Sequence, residues 1–364
     1  MNRTDLAARL VRHIRAHGPL TIAAFMAIAL HDSESGYYAR HQPLGAAGDF
    51  ITAPEISQIF GELIGLWCAD LWQRMGCPDP VIVAELGPGR GTLMADFLRA
   101  TGGVHGFREA LRLHLVETSP VLRAEQHRRL AEAEPIWLSG LGELPEGPLL
   151  AIANEFLDAL PIRQLVRGRS HWAERLVAVD ADGRLCYAGG PESPALSALV
   201  PAERRDAPPG AIVEICPAAT VLAAELAERF QHRPGAALFI DYGYGEGMPG
   251  STLAAIGRHR AANVLDAPGT ADLSAHVDFA AFAAVARAGG AAVYGPMAQG
   301  GFLTALGAAM RLATLVAEAT PEQRLAHETG LKRLIDPAEM GTLFKALALT
   351  SPGMPTPAGF ANGA

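Results

Sequence analysis

The chain has 364 residues, 49% of them hydrophobic and 19% charged, with a net charge of −8. That length holds one large domain with insertions or two domains, and the composition excludes a disordered chain. The negative balance leaves no global basic field for nucleic acid. Four cysteines without a C-x-x-C pair, and twelve histidines without metal-ligand spacing, argue against a disulfide framework or a bound metal.

Residues 2–17 predict an amphipathic helix with Leu6, Leu10 and Ile14 on one face. The apolar run 19–30 is too short to span a bilayer and has no signal-peptide cleavage context. Region 1–78 reads as a helical arm, broken by a polar, glycine-rich stretch over 31–49. Strand and helix then alternate, with strands over 81–85, 111–117, 136–138 and 149–153. Ser119 and Pro120 open a helix as N-cap and N1. This alternation predicts a mostly parallel α/β sheet covered by helices. Strands over 162–166, 171–179, 184–188 and 211–215, with a turn at Asp182-Gly183, read as a β-rich insertion. A helix over 217–231 and a strand over 236–240 return to the sheet. Residues 242–275 read as loop, 277–288 as helix, 291–294 as the last strand, and about 302–349 as helical. The expected organisation is therefore a 1–78 arm, a core of 79–155 and 211–300, a 156–210 insertion, 301–350 C-terminal helices and a loose 351–364 tail.

The most informative stretch is Val81-Ile-Val-Ala-Glu-Leu-Gly-Pro-Gly-Arg-Gly91. A buried strand runs into a glycine loop, and 92–100 follows as a helix. Glycines at such a turn let backbone approach a nucleotide-like ligand closely. A dinucleotide fingerprint needs G-x-G-x-x-G, whereas the spacing here is Gly87-x-Gly89-x-Gly91 with Glu85 ahead of it. A carboxylate there repels a pyrophosphate and suits a cation. S-adenosylmethionine is cationic and carries no phosphate, so the pattern resembles motif I of class I S-adenosylmethionine-dependent methyltransferases, with Pro88 inside the loop.

Ligands of open α/β sheets bind outside the carboxyl ends of the strands. Those ends carry Glu85, Glu117, Asn154-Glu155 and Asp241. Four acids on one rim repel one another unless a cation or donors sit among them. Glu117 is placed to take both ribose hydroxyls, and Glu85 to neutralise the amino-acid part of the cofactor, with Asn154 in the same set. Glu155, Asp158 and Asp241 suit a cationic acceptor; Asp158 and Asn154 suit helix capping equally well.

Longer segments are more specific: Gly36-Tyr-Tyr, Gly48-Asp-Phe-Ile-Thr-Ala-Pro-Glu-Ile-Ser-Gln58, Glu117-Thr-Ser-Pro120, Asn154-Glu-Phe-Leu-Asp-Ala-Leu-Pro161, Asp241-Tyr-Gly243, His276-Val-Asp-Phe279, Gln299-Gly-Gly-Phe-Leu303 and Met340-Gly-x-x-Phe-Lys345. In this order they resemble the MidA and mitochondrial complex I assembly factor 7 family of protein arginine methyltransferases, from about residue 14 to about 350. The resemblance implies a Rossmann-like core and methyl transfer from S-adenosylmethionine to an arginine. It also implies a protein substrate, the 49-kDa-type quinone-module subunit of complex I. A bacterial member acting in the cytoplasm is expected, its oligomeric state left open, with a homodimer among the options. Leu157 stands where an aromatic is common. Rival readings are a non-catalytic, chaperone-like assembly factor and a methyltransferase of a small molecule.

A guanidinium is a poor nucleophile because its lone pairs are delocalised and its pKa exceeds about 12. A carboxylate fixes the planar fork and localises charge away from the attacking nitrogen. Glu155 is the first choice for it, Asp49 and Asp241 are the alternatives, and Glu55 comes after them. Asp49 lies in a turn suited to folding over the cofactor.

Overall fold

The computed structural model describes residues 6–40, 51–246, 250–257 and 260–360, and for Ala39 and Arg40 the backbone alone. Asp49 therefore lies outside the described residues, with Gly48 and Phe50.

Among the described residues eight strands form the central sheet: β1 (Val81–Leu86), β2 (Leu111–Val116), β3 (Ile136–Leu138), β4 (Leu149–Asn154), β5 (Gly235–Tyr244), β6 (Ala292–Ala298), β7 (Phe344–Thr350) and the two-residue Val277–Asp278, which pairs with the end of β5 off the main path. Their spatial order is β6-β7-β5-β4-β1-β2-β3. The strands from β3 across to β5 are mutually parallel; β7 runs antiparallel to β5 and β6. This is the expected mostly parallel sheet.

The central strands β1, β4, β5 and β7 are apolar on both faces, and the two faces enter different cores. Val83, Leu113, Ile152, Leu238 and Ala348 pack with the helices Gln58–Arg74 and Thr92–Thr101. Their neighbours Ile82, Ala151, Ala237, Phe239 and Leu347 pack with the helices Pro217–His232 and Phe279–Ala288. That division is the two-residue period of a strand covered on both sides. The first pair of helices approaches closely, since a Cβ on Gly65 would stand 2.9 Å from Phe97 Cα.

The second sheet contains Arg163–Arg167, Trp172–Val179, Leu185–Ser193 and Ile212–Ile215, joined by Leu20–Thr21 of the arm. Ile212–Ile215 pairs antiparallel with Arg163 to Val166 and belongs to this sheet, as its reading with the insertion strands implies, so the boundary of the insertion lies after 215 and not at 210. Leu6, Leu10 and Ile14 are buried as expected, in a core shared with Ile162, Val177 and Leu273. The stretch expected as loop over 242–275 holds a small three-stranded sheet, Ala254–Gly257, Arg260–Ala262 and Asp272–Ser274.

The C-terminal end departs most from expectation. The helices stop before Phe344–Thr350, which is strand β7, inserted between β5 and β6. Its Ala/Leu composition favours a helix in isolation. Pairing on both edges and burial of six of its seven residues override that preference. Nor are residues 351–360 loose: Trp67 Nε1 donates to Ala358 O at 3.0 Å, and Phe360 is only 8% exposed. A buried indole N–H needs an acceptor, and the tail supplies it.

Candidate functional site

β1 ends at Leu86, and the chain turns through Gly87, Gly89 and Gly91 with φ of +64°, +52° and +77°. Side chains other than glycine adopt that region at a cost. Gly87 also lies beneath a ring: a Cβ there would stand 2.8 Å from Phe156 Cδ2. Gly91 is the N-cap of the Thr92–Thr101 helix.

A cavity of about 380 Å³ opens above the carboxyl ends of β1, β2 and β4, within the usual size of small-molecule sites. Glu85, Gly87, Pro88, Gly89, Glu117, Asn154 and Glu155 line it, so the fold brings most of the sequence-derived set together. Tyr38, Thr52 and Glu55 close it from the arm. Gly91 lies behind the loop, and Asp241 does not reach the cavity wall.

Glu85 is 3% exposed, and burial pushes its carboxyl up to about 8. Among the described residues its Oε2 has no partner; neither does Asn154 Oδ1. Buried acceptors without donors cost free energy unless a ligand supplies the donors. Glu117 follows β2, where its Oε1 accepts the Ser119 N–H at 2.7 Å. Burial raises its proton affinity.

Glu155 occupies the left-handed region, with φ +49°. Its Oε1 accepts the Ala53 N–H at 2.8 Å and Asn154 Nδ2 at 3.2 Å. Burial, with Asp158 nearby, brings its carboxyl up to about 7. Glu55 is committed elsewhere: it accepts from the Thr92 hydroxyl and pairs with Arg90 at 3.6 Å.

Asp241 is 1% exposed. Its Oδ2 accepts the N–H groups of Phe156, Leu157 and Asp158 at 3.0, 2.9 and 3.2 Å, and its Oδ1 that of Tyr242 at 2.9 Å. Burial raises its proton affinity, and Asp158 and Glu155 add to this. Asp158, itself buried and raised to about 6, is bonded to the Tyr242 hydroxyl.

Sequence reasoning missed two residues here. Phe156 covers the loop, as described. Gln126 is fully buried; its Nε2 donates to Gly89 O at 2.7 Å and to Glu117 Oε2 at 3.4 Å, while its Oε1 accepts from Trp137 Nε1 at 2.8 Å. One amide thus fixes the glycine loop and the acid beside it. A glutamine inside a helix carries no sequence signal of such a task.

Among the described residues no group of His, Cys, Asp and Glu is arranged to hold a metal ion. No described helix is long and apolar enough to cross a membrane.

Residues 63–297 match a sequence family described as "Putative S-adenosyl-L-methionine-dependent methyltransferase". The chain is 37% identical to the mouse (Mus musculus) protein named "Protein arginine methyltransferase NDUFAF7, mitochondrial", over 95% of this chain and 84% of that one. The Drosophila melanogaster homolog of that protein is 35% identical over the same shares. A crystal structure of a Burkholderia thailandensis protein bound to S-adenosyl-homocysteine superposes with a TM-score of 0.83 at 30% identity. It covers 98% of this chain and 95% of that one.

Proposed function

The chain belongs to this family of S-adenosylmethionine-dependent methyltransferases, and from that premise we propose that it methylates an arginine of a protein. The acceptor in this reading is the 49-kDa-type quinone-module subunit of respiratory complex I during assembly, and the setting is a bacterial cytoplasm. The names of the mouse and fly relatives support the arginine part.

The cavity suits S-adenosylmethionine, because its unpartnered acceptors match the cation's donors. In this reading the Gly87-Pro88-Gly89 backbone cradles the cofactor, and Gly91, named with them from the sequence, supports the loop from behind as the N-cap of the following helix. Glu117 takes the ribose hydroxyls, and Glu85 and Asn154 take the α-ammonium. The cofactor supplies the methyl group.

The chain's own chemistry then falls to Glu155, and one observation carries this choice. It is a cavity-lining carboxylate raised to about 7, with Oε1 held by two donors. It orients the guanidinium, keeps its charge off the attacking nitrogen, and accepts the proton that nitrogen releases. Asp241 is the weaker candidate, since it does not line the cavity. Asp49 is the other alternative.

Purified protein and the recombinant subunit, incubated with S-adenosylmethionine, are expected to yield a methylated arginine by mass spectrometry. Glu155→Gln should bind S-adenosylhomocysteine like wild type and lose about 10²–10⁴-fold in turnover. Wild-type turnover in that variant removes Glu155 from the role, and an unmethylated subunit refutes the acceptor.

A further inference from the structure

We propose that Asp241 is a positioning residue for Glu155: its carboxylate gathers the backbone of the turn after β4 and thereby aims the Glu155 side chain into the cavity. This rests on the role given to Glu155 above.

Four successive N–H groups leave β4 toward the end of β5. The Glu155 N–H donates to Ile240 O at 2.9 Å. Those of Phe156, Leu157 and Asp158 converge on one oxygen of Asp241. Two neighbouring residues of β5 therefore hold four neighbouring residues of the turn. A chain folded this tightly around a single acceptor has little freedom left at its first residue.

That first residue is Glu155, in the left-handed region at φ +49°. A non-glycine residue remains there only where its surroundings over-determine it. The reward is direction: the side chain meets the Ala53 N–H and the cavity. The Phe156 ring is delivered over Gly87 by the same turn.

Asp241 cannot itself touch an acceptor. It does not line the cavity, and both its oxygens are taken by backbone donors. An acid that sequence alone offers as a catalytic candidate thus acts at one remove, through the residue it orients.

The test is a double-mutant cycle on the full chain with Asp241→Asn and Glu155→Gln. Turnover is measured on the recombinant quinone-module subunit, and affinity for S-adenosylhomocysteine beside it. Asp241→Asn should lower kcat at least about tenfold and leave that affinity within about threefold of wild type. In the Glu155→Gln background it should change kcat less than about twofold, because the residue it acts through is already disabled. Losses that multiply would overturn the inference while leaving Glu155 in its role. An inert Glu155→Gln would refute the role of Glu155 itself.

A second readout needs no acceptor. Hydrogen exchange of the Ala53 amide, followed by NMR, should quicken at least about tenfold in Asp241→Asn as its carboxylate partner turns away; unchanged protection overturns the inference. If Asp241→Asn no longer binds S-adenosylhomocysteine, Asp241→Ser, smaller and still polar, enters the same measurements. Loss of binding in both variants would overturn the proposal, because Asp241 would then hold the fold at large.

Discussion

On the role proposed for Glu85, cofactor affinity should depend on pH, with a sign and size that follow from its burial. With its carboxyl raised to about 8, the group is mostly protonated at neutral pH in the free protein. Taking the α-ammonium requires the ionised form, so binding must expel a proton, and affinity rises with pH below that value. The ionised fraction is about 1% at pH 6 and about 24% at pH 7.5, so the affinity for S-adenosylhomocysteine should grow about 25-fold across that interval. Above pH 7.5 the ligand's own amine begins to lose its proton, and the gain flattens. Calorimetric titration at pH 6, 6.5, 7 and 7.5, each in two buffers of different ionisation enthalpy, measures the affinity and the released proton together. Release should approach one proton per site at pH 6. Glu85→Gln should remove both the slope and the release. A flat affinity with no proton released in wild type would refute the reasoning, because it would mean that Glu85 is already ionised or makes no contact with the ligand.

Gly87→Val should abolish measurable S-adenosylhomocysteine binding while the chain stays folded, since a Cβ at 2.8 Å from Phe156 displaces that ring or the loop itself; unchanged affinity by calorimetry would contradict this. Gln126→Leu strips the glycine loop and Glu117 of a shared amide. It should weaken S-adenosylhomocysteine binding about 5- to 150-fold, as a loss of about 1–3 kcal/mol implies. Leu347→Ala, at a fully buried site of β7, should destabilise the protein by about 2–5 kcal/mol in denaturant unfolding. A cost below about 0.5 kcal/mol would argue against a central strand there.

The parts of the site legible in the sequence are those set by local pattern. Glu85, Glu117, Asn154 and Glu155 each close a short apolar run, and a parallel sheet brings such ends to one rim whatever the connections between them. The glycine loop announces itself through its spacing. What escaped depends on partners far along the chain. Strand β7 is read as helix because Lys345-Ala-Leu-Ala-Leu349 has helical composition, and its neighbours are unknown until Phe239 is seen opposite Leu347. Being buried on both faces, it shows no alternation to betray it. Gln126 looks like any polar helical residue until the loop carbonyl appears beside it.

Asp241 marks the sharper boundary. In sequence it is an acid at a strand end, like Glu85, and the rule that places Glu85 in the cavity places Asp241 there too. The difference lies in what each meets. The Oε2 of Glu85 meets no donor and waits for one from a ligand. Asp241 meets four backbone N–H groups, three on one oxygen and one on the other. The acids of this rim therefore differ in the donors they meet rather than in acidity: Glu85 Oε2 meets none, Glu117 accepts on both oxygens from Ser119 and Gln126, and Asp241 is held by backbone. Glu55 is engaged by Thr92 and Arg90. Among the described residues Glu155 is hydrogen-bonded through one oxygen, both donors being groups that orient it, which suits the role proposed for it. In the proposed reading this division lets the carboxylate be aimed and still bind: one oxygen held by the fold, the other left for the guanidinium.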